Sequence, residues 1–165
     1  MKIKYYYLIV ISFILFTSCF NKKEPVVILK NYNEIPSYEK RIQNVKLTDS
    51  LLNLSITKGN EKAYNLVSSD FILDANYEGL IYYSLIMANK YNSPEAHFHI
   101  FLILSESADG GSFEKLDNKT KCLALYYLLK SKELGYENAK YSINEIFKKG
   151  RVLHKSNYYL LEYSK

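Results

Sequence analysis

Three histidines, two cysteines and one glycine-rich loop are the groups in this 165-residue chain whose chemistry would depend on spacing. His97 and His99 stand two apart, which on a helix turns them to different faces, and His154 is remote. A metal site asks for a spacing of three or four, or for a cysteine partner, so these are expected to be structural or surface histidines. No metal and no other cofactor is expected. Asp109-Gly110-Gly111-Ser112 lacks both the Lys-Ser/Thr ending and the preceding strand of a phosphate loop, and it reads as a turn. No serine sits in a nucleophile elbow. Glu95, Glu106, Glu114, Glu133, Glu137 and Glu145 fall mostly at polar positions of helices, as a solvated face does, so no catalytic residue is expected. Cys122 lies inside an apolar helical pattern, where a small buried hydrophobe is expected rather than a nucleophile.

Cys19 differs, because of what precedes it. Lys2 and Lys4 are followed by a run from Tyr5 to Phe16 that is apolar apart from Ser12, and then by Thr17-Ser18-Cys19. Positive charge followed by an apolar run of this length is the order of an export signal, and the run is short of the ~20 residues that span a bilayer comfortably. A retained membrane helix is the alternative. Phe16-Thr17-Ser18-Cys19 resembles a lipobox: an apolar residue, two small ones, then the cysteine that receives a lipid before cleavage. Phe16 departs from the leucine usual at that place. The resemblance implies a bacterial lipoprotein whose signal, residues 1–18, is removed, and whose mature chain is held to a membrane through a lipid on Cys19. A cysteine lipidated at sulfur cannot form a disulfide with Cys122. The same sorting rules place Asp after the cysteine for inner-membrane retention; Phe20 stands there, so the outer membrane is expected.

Composition limits the partners. Hydrophobic residues make up 48% and charged residues 24%, an ordinary globular balance with room for one domain. The formal net charge is +5, two units of which belong to Lys2 and Lys4, and basic residues come as pairs such as Lys22-Lys23 and Lys148-Lys149. Nucleic-acid binding has no support in that distribution. Residues 19–46 are polar and lysine-rich, with Pro25, Pro36 and one short β-branched run, Val26-Val27-Ile28, and read as a tether, the alternative being an edge strand or a first packed segment from Pro25 to Lys30.

From residue 47 to residue 165 only Pro94 interrupts, and apolar residues recur at helical spacing. The pattern predicts an all-α domain with paired helices near 48–57 and 60–72, 77–91 and 94–106, and 118–134 and 137–148. Asn60, Ser93 and Asp117 are candidate N-caps. Three segments align without gaps: SITKGNEKAYNLVSSDF, ANKYNSPEAHFHIFLIL and SKELGYENAKYSINEIF. Ser55, Ala88 and Ser131 open them, Gly59, Asn92 and Gly135 are fifth, Ala63, Ala96 and Ala139 ninth, and Phe71, Leu104 and Phe147 last. Leu52, Leu85 and Leu128 stand three positions upstream. Gly or Asn suits the left-handed cap that ends a first helix, and small residues on both helices let an antiparallel pair cross closely. The Leu and Ala columns are therefore the expected repeat-packing positions. Residues 105–116 form an insertion between the second and third pairs.

LALYYLLKSKELGYENAKYSINEIFKKG resembles a Sel-one-like repeat, a relative of the tetratricopeptide repeat, through Gly135, Ala139, Phe147 and Gly150. The likeness covers residues 77–150 and, in degenerate form, a unit from about 48; Asn92 in place of Gly and Asn65 in place of an aromatic depart from it. It implies a stack of about three antiparallel helical hairpins with a groove lined by the first helices. Tyr82, Tyr83, Tyr126 and Tyr127 lie on those first helices and are the candidate groove residues, although core aromatics are the commoner reading. Tyr158, Leu161 and Tyr159 are expected to cover the last unit. The disulfide-braced subgroup of the family needs a cysteine pair in each repeat and is excluded. The implied function is non-enzymatic: a lipid-anchored module binding an unknown protein or peptide at the cell envelope. One alternative is a periplasmic immunity-type protein that neutralises a secreted toxin. Another is a cell-envelope enzyme acting through carboxylates gathered by folding.

Overall fold

The computed structural model describes residue 41 and residues 44–106, 112–148 and 152–165. Cys19 and the apolar run before it, the segment 20–40, the Gly110-Gly111 turn and Gly150 lie outside the described residues. Among the described residues the chain is all-α. Its helices are α1 Val45–Lys58, α2 Glu61–Leu73, α3 Tyr77–Tyr91, α4 Pro94–Glu106, α5 Asn118–Glu133, α6 Ala139–Phe147 and α7 Ser156–Tyr163, with a 3-10 turn at Phe113–Lys115. The expected ranges 77–91 and 94–106 are met residue for residue, and the other ends agree within three residues. No described helix is long and apolar enough to cross a membrane.

Local chemistry sets these ends. The Asn60 side chain accepts from the Ala63 N–H at 2.9 Å, Ser93 Oγ from the Ala96 N–H at 3.2 Å, and Asp117 from Lys119 and Thr120. Each satisfies a first-turn amide that the helix itself cannot. Asn44 and Asn76 do the same for α1 and α3. At the opposite ends the predicted column is left-handed throughout: φ is +63° at Gly59, +54° at Asn92 and +99° at Gly135. Gly59 and Asn92 each return one N–H to a carbonyl four residues back, at Ser55 and Ala88. Around Gly135 the amides of residues 135 and 136 reach the Lys132 and Ser131 carbonyls, a double closure that Ala75 and Asn76 repeat on Ile72 and Phe71.

Ala75 adopts φ +51° although its Cβ disfavours that region, whereas Gly59 is held there for two reasons. A Cβ on Gly59 would lie 2.5 Å from the Tyr91 ring, and that ring is fixed by its hydroxyl, which donates to the Ile56 carbonyl at 3.0 Å. A Cβ on Gly135 would meet nothing within 4 Å. Three substitutions should therefore rank in urea denaturation. Ala75→Gly is expected to gain about 0.5–1 kcal/mol. Gly135→Ala should lose about 1 kcal/mol to the left-handed backbone alone, and Gly59→Ala more than that because the overlap with Tyr91 is added. Equal losses at residues 59 and 135 would mean that the Tyr91 ring is free to move aside.

Packing follows the small residues. Ser55, Ala88 and Ser131, together with Ala63, Ala96 and Ala139, are all 0% exposed. α1 packs on α2 and α3, α3 on α2 and α4, and α5 on α4, α6 and α7. The core forms a large cluster around Tyr64, Leu80, Met87, Ile100 and Leu128 and a smaller one of Leu51, Leu52, Ala63 and Val67; Phe71 and Tyr83 pack against both.

Two expectations need correction. Leu52 and Leu128 are buried, but Leu85 is 38% exposed and is not a buried packing position. It shares an outward stripe of α3 with Tyr82 and Asn89, and α5 places its main contacts on α4 instead of over that stripe. Among the hydrogen bonds described, α3 and α5 are linked by Asn89 Nδ2 donating to Tyr127 Oη at 3.5 Å. In α7, Tyr159 is the inward residue at 8% exposed, whereas Leu161 is 66% and Tyr158 43% exposed. The physical cause is at the start of that helix. The carboxylate of Glu133 accepts from both the N–H and the hydroxyl of buried Ser156, at 3.0 and 2.8 Å, and this sets which face meets α5.

Candidate functional site

The densest polar chemistry among the described residues lies where α2, α3 and α4 meet. Tyr64 is 0% exposed, and its Oη lies 2.8 Å from Ser84 Oγ and 2.9 Å from His99 Nδ1. His99 Nε2 faces Glu95 Oε1 at 3.8 Å, one helical turn away on α4. Tyr64 donating to Nδ1, with the imidazole proton on Nε2, satisfies the Nδ1 side of the ring and leaves the Nε2 proton facing Glu95. Burial drives the protonation states: it pushes the Tyr64 hydroxyl upward, out of reach of ordinary pH, and holds His99 down at about 4. The nearby carboxylate does not rescue the imidazolium. It is beyond hydrogen-bond range and is itself pushed upward, by its own burial first and by Glu61 second.

Glu61 enters through Ser93, whose hydroxyl donates to Glu61 Oε2 at 2.8 Å while accepting the Ala96 N–H. His97, two residues along from Glu95, lies within 2.7 Å of the Ser93 carbonyl through Nδ1. Its ring is 5.7 Å from that of Tyr127, and burial holds its pKa below the usual histidine range. The two histidines thus occupy different faces, as their spacing predicts, and both are buried, at 2% and 5% exposed. Neither is a surface residue.

Carboxylate, imidazole and hydroxyl in series are the parts of a proton relay. Here the relay is enclosed: Tyr64 and Ser84 are both 0% exposed, so a substrate has no approach to either hydroxyl in this conformation. What the arrangement does is position helices. The hydrogen bonds of Tyr64 to Ser84 and His99 form only when α2, α3 and α4 keep their relative registers, which makes the network a specificity device in a largely apolar core. Cys122 is half-buried, not fully buried as expected, and burial raises its thiol, the direction opposite to that of a reactive cysteine. A half-open cavity of about 470 Å³ lies between α4, the 3-10 turn and α6, with Phe101 and Ile146 in its wall. Glu106, Glu114 and Glu145 line it as exposed residues, facing water.

The four tyrosines proposed for the groove separate. Tyr82 is 59% exposed, with its ring edge-on to Tyr83 at 5.3 Å, and is available to a partner. Tyr83 is half-buried against both core clusters, and Tyr126 is half-buried against the larger. Tyr127 is 7% exposed and belongs to the core, so its groove assignment is withdrawn. The polar network was missed by sequence reasoning because its members lie 20 and 35 residues apart. Asn65 departs from the aromatic column, and Tyr64, one position earlier, is the aromatic that fills the core. Cys19 is outside the described residues. Compared with known proteins, the chain matches no family model, no curated protein and no solved structure.

Proposed function

We propose that this chain is a lipid-anchored, non-enzymatic interaction module, in which three helical hairpins stack side by side and hold a partner protein or peptide at the cell envelope. Support for the hairpin stack comes from the left-handed cap recurring at residues 59, 92 and 135 and from the buried Ala63, Ala96 and Ala139 that follow it. The observation that carries the function is the stripe Tyr82, Leu85 and Asn89, spaced i, i+3, i+7 on α3 and exposed beside the junction with α5. Tyrosine is a residue type enriched in interaction hot spots, and exposed Leu85 extends the apolar surface beside it. The lipid anchor rests on the Phe16-Thr17-Ser18-Cys19 motif, and the outer membrane is its proposed location.

Two arms test the reading. In a lipoprotein-competent bacterium, the wild type should lose residues 1–18, gain diacylglycerol and partition to membrane, and Cys19→Ser should do none of these. Equal behaviour of the two chains defeats the anchor. A photo-crosslinker at residue 82 should trap one envelope protein, which a crosslinker at residue 141 does not; Tyr141 is 78% exposed and lies away from the stripe. Identical adducts from the two positions, or adducts indifferent to Leu85→Asp, would remove the stripe as the binding surface.

A further inference from the structure

The geometry points to a second membrane contact, made by the protein surface itself: the outward side of α7 and residues 152–155 before it lie against a bilayer containing anionic lipids. Inward, α7 gives Tyr159 and Ser156 to α5. Outward, it gives Leu161 at 66% exposed, and the preceding connection adds Val152 at 69% and Leu153 at 56%. Tyr158, 43% exposed, lies flat on the His154 ring, with centroids 4.0 Å apart. Large apolar side chains gathered in so short a stretch and left to water mark a contact surface.

Charge identifies what covers it. Between residues 147 and 165 the sequence holds Lys148, Lys149, Arg151, Lys155 and Lys165 against Glu162 alone, while the rest of the chain after Cys19 is close to neutral. Lys148 and Lys155 are exposed, and the Glu162 carboxylate is engaged by Lys165 at 2.6 Å. Lysines interleaved with leucine, valine and tyrosine are the composition of an interfacial segment: apolar side chains enter the acyl boundary, tyrosine sits at headgroup level, and lysines meet lipid phosphates. A nucleic acid would leave the leucines uncovered. The proposal rests on the membrane-anchored reading only in that the anchor supplies a bilayer nearby. The contact would hold the domain down on the surface and fix which side of α3 faces outward.

Residues 36–165 form one compact unit that contains both core clusters, so that fragment is the probe, free of Cys19 and of the apolar run. It should co-sediment with phosphatidylglycerol–phosphatidylethanolamine vesicles and leave pure phosphatidylcholine in solution, with binding that weakens as salt is raised. Leu153→Asp with Leu161→Asp should reduce that binding about tenfold or more, and Lys148→Glu with Lys155→Glu should abolish the preference for anionic lipid. All four positions are exposed, so circular dichroism should be unchanged. Absence of binding to anionic vesicles overturns the proposal, as does binding that neither variant alters. A dimer in solution that the leucine variant dissolves also overturns it, making the surface a contact between copies. Because the fragment lacks Cys19, its failure leaves the lipid anchor standing, and the Cys19→Ser fractionation decides that separately.

Discussion

Arg41→Met is expected to destabilise the fold by about 3–5 kcal/mol, a large share of what a domain of this size possesses. Arg41 donates from Nε to Asp70 Oδ2 at 2.9 Å and from Nη2 to Oδ1 at 2.5 Å, and the two side chains are 12% and 8% exposed. A paired fork of this kind offsets the desolvation of both ions only while both are present. With the guanidinium removed, the Asp70 carboxylate stays inside α2 without its main counter-ion. The double variant Arg41→Met/Asp70→Leu should recover most of the loss, since an apolar pair of similar volume carries no desolvation cost. Urea denaturation of the two single variants and the double variant measures the coupling directly. Additive losses would show that the pair contributes nothing beyond its separate halves.

Acid should weaken the same domain over a defined window. His99 titrates near 4 when folded and at about 6.5 when unfolded, so between these values the unfolded chain binds the extra proton. Stability is full above the unfolded value. It falls as pH drops, by about 1.4 kcal/mol per unit for one such group, until the folded value is reached. His97, also depressed, adds a loss of the same sign. Glu95 acts oppositely: its carboxyl is raised in the fold, so protonation there favours the folded state as pH falls and offsets part of the loss. His99→Gln retains an acceptor for Tyr64 and removes the titration, and it should flatten the fall between pH 7 and 4.5. Urea midpoints in parallel buffers decide it; matching slopes for wild type and variant would place the acid sensitivity elsewhere.

How much of this was visible in the residues depends on the range of the interaction. The caps at Asn60, Ser93 and Asp117, and the left-handed ends at Gly59, Asn92 and Gly135, concern groups within a few residues of one another, and type and spacing reveal them. Burial of the Ala63, Ala96 and Ala139 column followed from alignment of the three segments, because a crossing point needs a small side chain wherever it recurs. Leu85 failed because periodicity assigns a residue to a stripe without saying whether another helix covers it. Tyr158 and Leu161 failed for a related reason: Ser-Asn-Tyr-Tyr-Leu-Leu-Glu-Tyr has apolar side chains all round, and the orientation of α7 was decided by Glu133, more than twenty residues earlier. Tyr64, Ser84 and His99 are ordinary residues locally, and only packing makes them one network.

The unequal division of the core gives the domain a grain. The cluster under α1 and α2 contains four buried hydrophobic side chains, and the remainder sit in one continuous mass around α3, α4 and α5. Opening of α1 away from its neighbours sacrifices the small cluster and the seat of Tyr91 on Gly59, and leaves the larger mass dry. Amide exchange in native conditions would then begin at α1 and advance toward α5, so the domain comes apart as a sequence of steps from one side. On the proposed anchor, α1 is also the first described helix after Cys19 in the sequence, so tension carried along the chain from the membrane would reach it before the larger mass.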